Sequence, residues 1–101
     1  MPKQGMVYEL SPEADQDLEE IFEYTEGEFG FDQAIEYLSS FDELLGKLVN
    51  NPELGKERKE IREGLRSILK EKHVIFYRIL KNRIRIVRIL HGSRDLRTFL
   101  F

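Results

Sequence analysis

Two runs in the second half of the chain, His73 to Leu80 and Ile84 to Leu90, are apolar on both alternating faces. Val74 and Phe76 fall on one face of the first run, and Ile75, Tyr77 and Ile79 on the other. Strands of that pattern are central in a sheet, because both faces must be kept from water. Leu65 to Leu69 reads as a third strand beside them. Lys81-Asn82 reads as the tight turn between the two runs, since Asn tolerates positive φ. A chain built around such strands needs a covering layer.

The first half supplies it. Val7 to Leu10 reads as a short strand, and Ser11-Pro12 then starts a helix. Ser11 can cap, Pro12 suits the first turn, and Glu13 and Asp15 favour the positive end of the dipole. Ala14, Leu18, Ile21, Phe22 and Thr25 fall on one face at helical spacing. Asp17, Glu19, Glu20 and Glu23 are read as a solvated face, not as ligands. Gly27 and Gly30 mark the stop. Asp32 can cap a second helix, whose stripe runs Ala34, Leu38, Phe41, Leu45, Leu48, widened by Tyr37 and Leu44. A short Gly-containing connection between amphipathic helices implies an antiparallel hairpin. Asn50-Asn51-Pro52 and Gly55 end it, and Lys56 to Gly64 reads as a charged loop. The expected fold is α+β: an N-terminal strand, an antiparallel two-helix hairpin packed on one face of a small, mostly antiparallel four-stranded sheet, and a short C-terminal tail. One helical layer covers one sheet face, so the other is expected to be partly open or partner-covered. Arg66, Arg78, Arg85 and Arg88 are placed on that second face or its edges.

Length bounds the rest: 101 residues allow one domain, residues 1–101. Residues 1–6 are expected to be flexible and 92–101 to form the tail, and Met1 and Met6 both remain open as starts. Zero Cys excludes disulfides, thiolate zinc sites, iron–sulfur ligation and a Cys nucleophile, and fits a cytoplasmic setting. No apolar run approaches the ~18–20 residues of a membrane span. The net charge of −3 conceals a division. Residues 1–57 carry −12 and residues 58–101 carry +9. An acidic and a basic layer can neutralise each other within one domain, the two halves can present faces to different partners, and both readings can hold together. The tail holds Leu96, Phe99, Leu100 and Phe101, either docked on the sheet or exposed to a partner. Phe29 and Phe31 flank Gly30 and either close the hairpin core or form a contact site.

The ordered segments LSPEADQDLEEIFEYTEGEFG, QAIEYLSSF, NPELG, IREGLRSI, HVIFYRI and IRIVRILHGSRD together resemble the ParE branch of the bacterial ParE/RelE toxin superfamily. The resemblance spans about Tyr8 to Asp95. It implies the toxin half of a type II toxin–antitoxin module, with a two-helix hairpin on a small sheet. It also implies neutralisation by a ParD-like antitoxin with a DNA-binding N-terminus and a disordered C-terminal segment. ParE-like members poison DNA gyrase, whereas RelE-like members cleave mRNA in the ribosomal A site.

Cleavage through a 2′-hydroxyl needs a base, cations for the phosphorane charge and an acid for the leaving oxygen. Arg66, Arg78, Arg88 and His91 are the residues able to supply cations and one acid/base group. The usual C-terminal Tyr of the RelE-like enzymes is missing, for the last Tyr is Tyr77. Phe99 and Phe101 cannot transfer protons. The departure favours gyrase poisoning, with no enzymatic activity, over a ribosome-dependent mRNA interferase. A nontoxic relative that keeps only antitoxin binding is the third reading. His91 and His73 also suit structural roles at strand ends. No His/Asp/Glu set has metal-ligand spacing, no Gly-rich loop follows a strand, and no cofactor is expected. Arg78 and Arg88 either pair with acids such as Glu63 or Asp95 or form a basic strip. On the second view Arg62, Arg66, Arg78, Arg85, Arg88, His91 and Arg94 contact the target. Arginines without interleaved aromatics, at a whole-chain pI near 5.4, do not suggest direct nucleic-acid reading. Antitoxin contacts are expected at Leu18, Phe22, Phe29, Phe31, Tyr37, Phe41, Phe99 and Phe101, with homodimerisation of free toxin left open.

Overall fold

The computed structural model describes residues 7–93. The expected flexible start and the tail from Arg94 onward, with Phe99 and Phe101, lie outside the described residues. Strand β1 (Val7–Leu10) leads into helices α1 (Pro12–Phe29) and α2 (Phe31–Asn50). A 3-10 turn (Pro52–Leu54) and the two-residue strand β2 (Lys56–Glu57) follow, then β3 (Leu65–Lys70), β4 (His73–Ile79) and β5 (Arg83–His91).

The α+β architecture is as expected, with five strands where the sequence suggested four. The order is β1-β5-β4-β3-β2. The added strand, β2, comes from the stretch read as a loop: Lys56 and Glu57 pair with Ser67 and Arg66. Two residues carry no alternation, so no pattern announces them. Three pairings are antiparallel, while β1 runs parallel to β5. The runs apolar on both faces are central or near-central, as their pattern requires.

Both helices lie on one sheet face. Ser11 caps α1, its Oγ accepting from the Ala14 amide at 2.9 Å. Gly30, at φ 92°, ends α1 and caps α2 with no side-chain bond, so Asp32 is not the cap. Only a residue without Cβ takes that φ cheaply, and it lets two helices follow each other without a linker. Gly27 lies inside α1. The positive φ expected near Asn82 occurs instead at Glu71, in the β3–β4 turn, the one non-glycine case among the described residues.

Ala14, Ile21, Phe41, Leu45 and Leu48 from the helices meet Ile75, Tyr77, Ile84, Ile86 and Ile89 from the sheet. On the other face Leu65, Val74, Phe76 and Leu90 form a second cluster with Ile61, supplied by the 58–64 segment. Arg58 adds its guanidinium over the Phe76 ring, 5.8 Å from the centroid. The second face is thus partly covered from within the chain. Leu69 stays exposed beside it.

Tyr77 fastens the connection from α2 to the sheet. Its hydroxyl donates to the Pro52 carbonyl at 2.7 Å and accepts the Gly55 amide at 2.8 Å. A Cβ on Gly55 would stand 2.4 Å from that hydroxyl and 2.8 Å from the Ser67 carbonyl oxygen. Gly55→Ala is therefore expected to lower stability by about 1–3 kcal/mol through overpacking. Tyr77→Phe, which strands the buried Gly55 amide, is expected to cost about 1–3 kcal/mol. Urea unfolding of both variants checks the pair.

Candidate functional site

Strand β5 does not keep a strict two-residue period. Ile86 faces Tyr77 and Arg88 faces Phe76, so Val87 is one residue too many, a β-bulge. Uninterrupted alternation from Ile84 and Ile86 would send Arg88 into the helix-side core. The bulge re-phases the strand, and Ile89 enters that core instead.

The bulge lies just past the end of β1, where β5 loses its parallel neighbour. Groups from the start of α1 take over. The Ser11 amide donates to the Ile86 carbonyl at 2.9 Å, and the Ser11 hydroxyl to the Val87 carbonyl at 2.7 Å. Asp17 Oδ2 accepts the Ile89 amide at 2.9 Å and Arg88 Nε at 2.8 Å. Arg88 Nη2 reaches Asp17 Oδ1 at 2.9 Å. Asp17 is buried, 6% exposed, and is not part of a solvated face. It follows Ala14 and precedes Ile21 on the buried stripe of α1, which is the sequence signal that identifies it. The hydrogen bonds to Asp17 hold the Arg88 guanidinium above its ordinary pKa.

The other candidate cations are dispersed. Arg66 Nε donates to the Gly55 carbonyl at 3.1 Å, and its Nη1 pairs with Glu57 at 3.3 Å. Arg85 and Arg83 share one carboxylate, that of Glu9, with Arg85 at 2.9 Å. Arg78 lies directly opposite Arg85 across β4 and β5. Among the described residues neither Arg78 nor the exposed Arg62 has an ion pair, with Glu63 or any other acid. Arg94 and Asp95 lie outside the described residues.

His91 is at the far end of β5, on the floor of a cleft of about 760 Å³ between α1, α2 and the strand ends. Ile21, Tyr24, Phe29, Tyr37 and His73 are among its walls. His91 faces His73 across the strands, ring centroids 5.6 Å apart. Tyr37 Oη and His73 Nδ1 are 2.9 Å apart. Burial first, then the Glu71 charge, pushes the Tyr37 hydroxyl up to about 12. Burial and the neighbouring His91 push His73 down, against a smaller upward pull from Glu71. No group of three metal-ligating side chains occurs among the described residues.

The apolar candidates divide by exposure. Phe41 is buried and belongs to the core, not to a contact surface. Leu18, Phe22 and Tyr37 are half-buried. Phe29 and Phe31 stand out at 69% and 58% exposure, and they do not close the hairpin core. Phe31 meets Phe22 edge-on at 6.0 Å. Tyr24 and Ile35 extend the exposed apolar surface. No helix among the described residues is long and apolar enough to cross a membrane.

A helix hairpin packed on one face of a mixed sheet is a fold shared with solved toxin–antitoxin structures. The solved structure of a chromosomal ParDE system from P. aeruginosa shares this fold, with a TM-score of 0.76 at 21% identity, covering 87% of this chain and 97% of that one. A chain of the RelBE2 toxin–antitoxin complex from Mycobacterium tuberculosis gives 0.62 at 22% identity, covering 88% of this chain and 92% of that one. Residues 8–96 match the family of ParE toxins of type II toxin–antitoxin systems, parDE, and the chain belongs to that family. It is 38% identical over 89 residues to Toxin ParE1 of Mycobacterium tuberculosis, covering 87% of this chain and 91% of the relative. Toxin ParE1 of Caulobacter vibrioides is 33% identical over 93 residues, covering 92% and 96%.

Asp17→Ala leaves a mostly buried guanidinium and a strand amide without their acceptor, and is expected to cost about 3–5 kcal/mol. Adding Arg88→Met removes the stranded charge and is expected to recover part of that loss. A double-mutant cycle by urea unfolding measures the coupling.

Proposed function

We propose that this ParE-family toxin acts by binding, poisoning DNA gyrase so that cleaved DNA accumulates, and is neutralised by a ParD-like antitoxin. The observation that carries the reading is the dispersal of the four groups an RNA-cleaving site would need. Arg66 is held at the β2 edge, Arg88 on Asp17 and His91 beside His73 and Ser93, while Arg78 projects from the second sheet face. Tyr77, the last tyrosine, is occupied in fastening Pro52 and Gly55. With Arg66, Arg88 and His91 held by separate internal partners, the set does not favour the nuclease reading.

Arg62 and Arg78 are then the cations best placed to meet a target, because Arg66, Arg85 and Arg88 are committed to internal acceptors. A poison must bind the gyrase–cleaved-DNA state more tightly than the uncleaved one, since equal binding shifts nothing. Antitoxin recognition draws on the exposed Tyr24, Phe29, Phe31 and Ile35 around the hairpin tip. A disordered partner with apolar anchors can cover such a surface.

Incubation of the purified protein with gyrase, ATP and supercoiled plasmid, followed by denaturation, is expected to release linear DNA. A cognate antitoxin should suppress it. Arg78→Glu is expected to reduce cleavage at least roughly tenfold, the effect of losing ~1.4 kcal/mol of differential binding, with unfolding midpoint unchanged. Absence of cleavage from folded, antitoxin-competent protein would overturn the reading, and ribosome-bound mRNA would be the next substrate tested.

A further inference from the structure

The floor of the cleft holds a cross-strand histidine pair whose hydrogen bonds depend on protonation state. His73 and His91 are direct partners in the β4–β5 register, and the strand turns away immediately afterwards at Gly92 and Ser93. That turn is fastened twice. The Gly92 amide donates to the Lys72 carbonyl at 2.8 Å, and the Ser93 amide donates to His91 Nδ1 at 3.1 Å. Ser93 Oγ lies 2.6 Å from the same nitrogen.

A backbone amide only donates, so Nδ1 of His91 must present a lone pair, and the ring is neutral with its proton on Nε2. Protonation of Nδ1 replaces the acceptor by a donor and sets two N–H groups against each other. The Tyr37–His73 contact differs, because a hydroxyl both donates and accepts and survives protonation of its partner. We propose that His91, backed by His73, is a proton-operated clasp that holds Ser93 against the cleft at neutral pH and releases it on acidification, while the Gly92 amide stays on the Lys72 carbonyl.

The groups around the pair support this direction. From α2 come Tyr37 and the apolar edge of Phe41, 5.9 Å from the His73 ring. From the end of β3 and the following turn come Lys70, Glu71 and Lys72, with the Lys70 ammonium 5.7 Å from the Tyr37 ring centroid. Across the cleft α1 contributes Glu20 and Asp17, the latter committed to Arg88 and the Ile89 amide. Burial and the facing His91 favour neutral His73 more than Glu71 opposes it. A group whose folded pKa is depressed contributes stability above its ordinary pKa and loses it as pH falls through the folded value. For His73 that window begins at the ordinary histidine range and extends below it.

Amide hydrogen exchange and imidazole NMR of the full chain between about pH 7.5 and 5 test the clasp. At the upper pH, His91 is expected as the Nε2–H tautomer. On acidification the protection of the Ser93 amide is expected to fall at least roughly tenfold, while Ile75 and Ile86 in the strand centres keep theirs. His91→Asn offers a carbonyl to the Ser93 amide over the same two-residue span and does not titrate. It is expected to abolish the pH-dependent loss. An Nδ1–H tautomer at neutral pH, or equal loss of protection in the His91→Asn chain, overturns the proposal.

Discussion

The carboxylate of Asp17 is where helix, strand and charge meet, and the placement of β5 depends on it. Strand β1 pairs with β5 from Arg83 to Ile86, and among the described residues no strand flanks the outer edge of β5 beyond that point. Asp17 replaces it with one accepted amide at Ile89 and a two-pronged bond to Arg88. An unpaired carboxylate at that depth would be expensive. Here it satisfies an edge amide, a cation and the geometry of a bulge together. Ser11 does related work six residues earlier, capping α1 while closing the Val87 carbonyl. The start of α1 is thereby tied to one short stretch of β5, and the hairpin inherits its position over the sheet.

That arrangement explains which parts of the fold were legible. The helical stripes and the two apolar strands follow from simple periods, and their burial matches: Ala14, Ile21, Phe41, Leu45 and Leu48 are all in the core. Periodicity fails at the bulge. Read with period two, Ile84, Ile86, Arg88 and Leu90 share a face, whereas the chain places Ile84, Ile86 and Ile89 together. The extra residue is invisible in the pattern because Val87 is itself apolar. Charge alone sends Asp17 to the solvated face, although its place between Ala14 and Ile21 puts it on the buried stripe. Asp32 looked like a cap because its residue type suits one, yet the sharp φ at Gly30 leaves room for only one residue between the helices. β2 was hidden by its brevity.

The opposed charges of the two halves are resolved in part within the domain. Glu9 and Asp17 from the acidic half hold Arg83, Arg85 and Arg88 from the basic half, and Glu57 holds Arg66. Most of these contacts are partly exposed and individually weak. Their joint effect is to orient guanidinium groups along the strands. This is why candidate residues chosen for being basic sort into two groups once their partners are known. The family resemblance lies in ordered segments spread over the chain, which neither the bulge nor the brevity of β2 disturbs.

The exposed apolar side chains of the hairpin and Arg78, an arginine with no ion pair among the described residues, lie on different sides of the sheet layer. Tyr24, Phe29, Phe31 and Ile35 surround the helix hairpin, while Arg78 emerges beside Phe76 on the opposite face. A rigid partner docked on the hairpin alone would leave Arg78 accessible. If target contact runs through Arg78, neutralisation by occlusion requires a partner that passes round a sheet edge. An extended segment can do this with little bulk, anchoring aromatics on one side and delivering carboxylates to the other. The cost is the ordering entropy of that segment, which limits affinity per unit of buried area. The separation of the two surfaces thus favours a partner that is disordered before it binds.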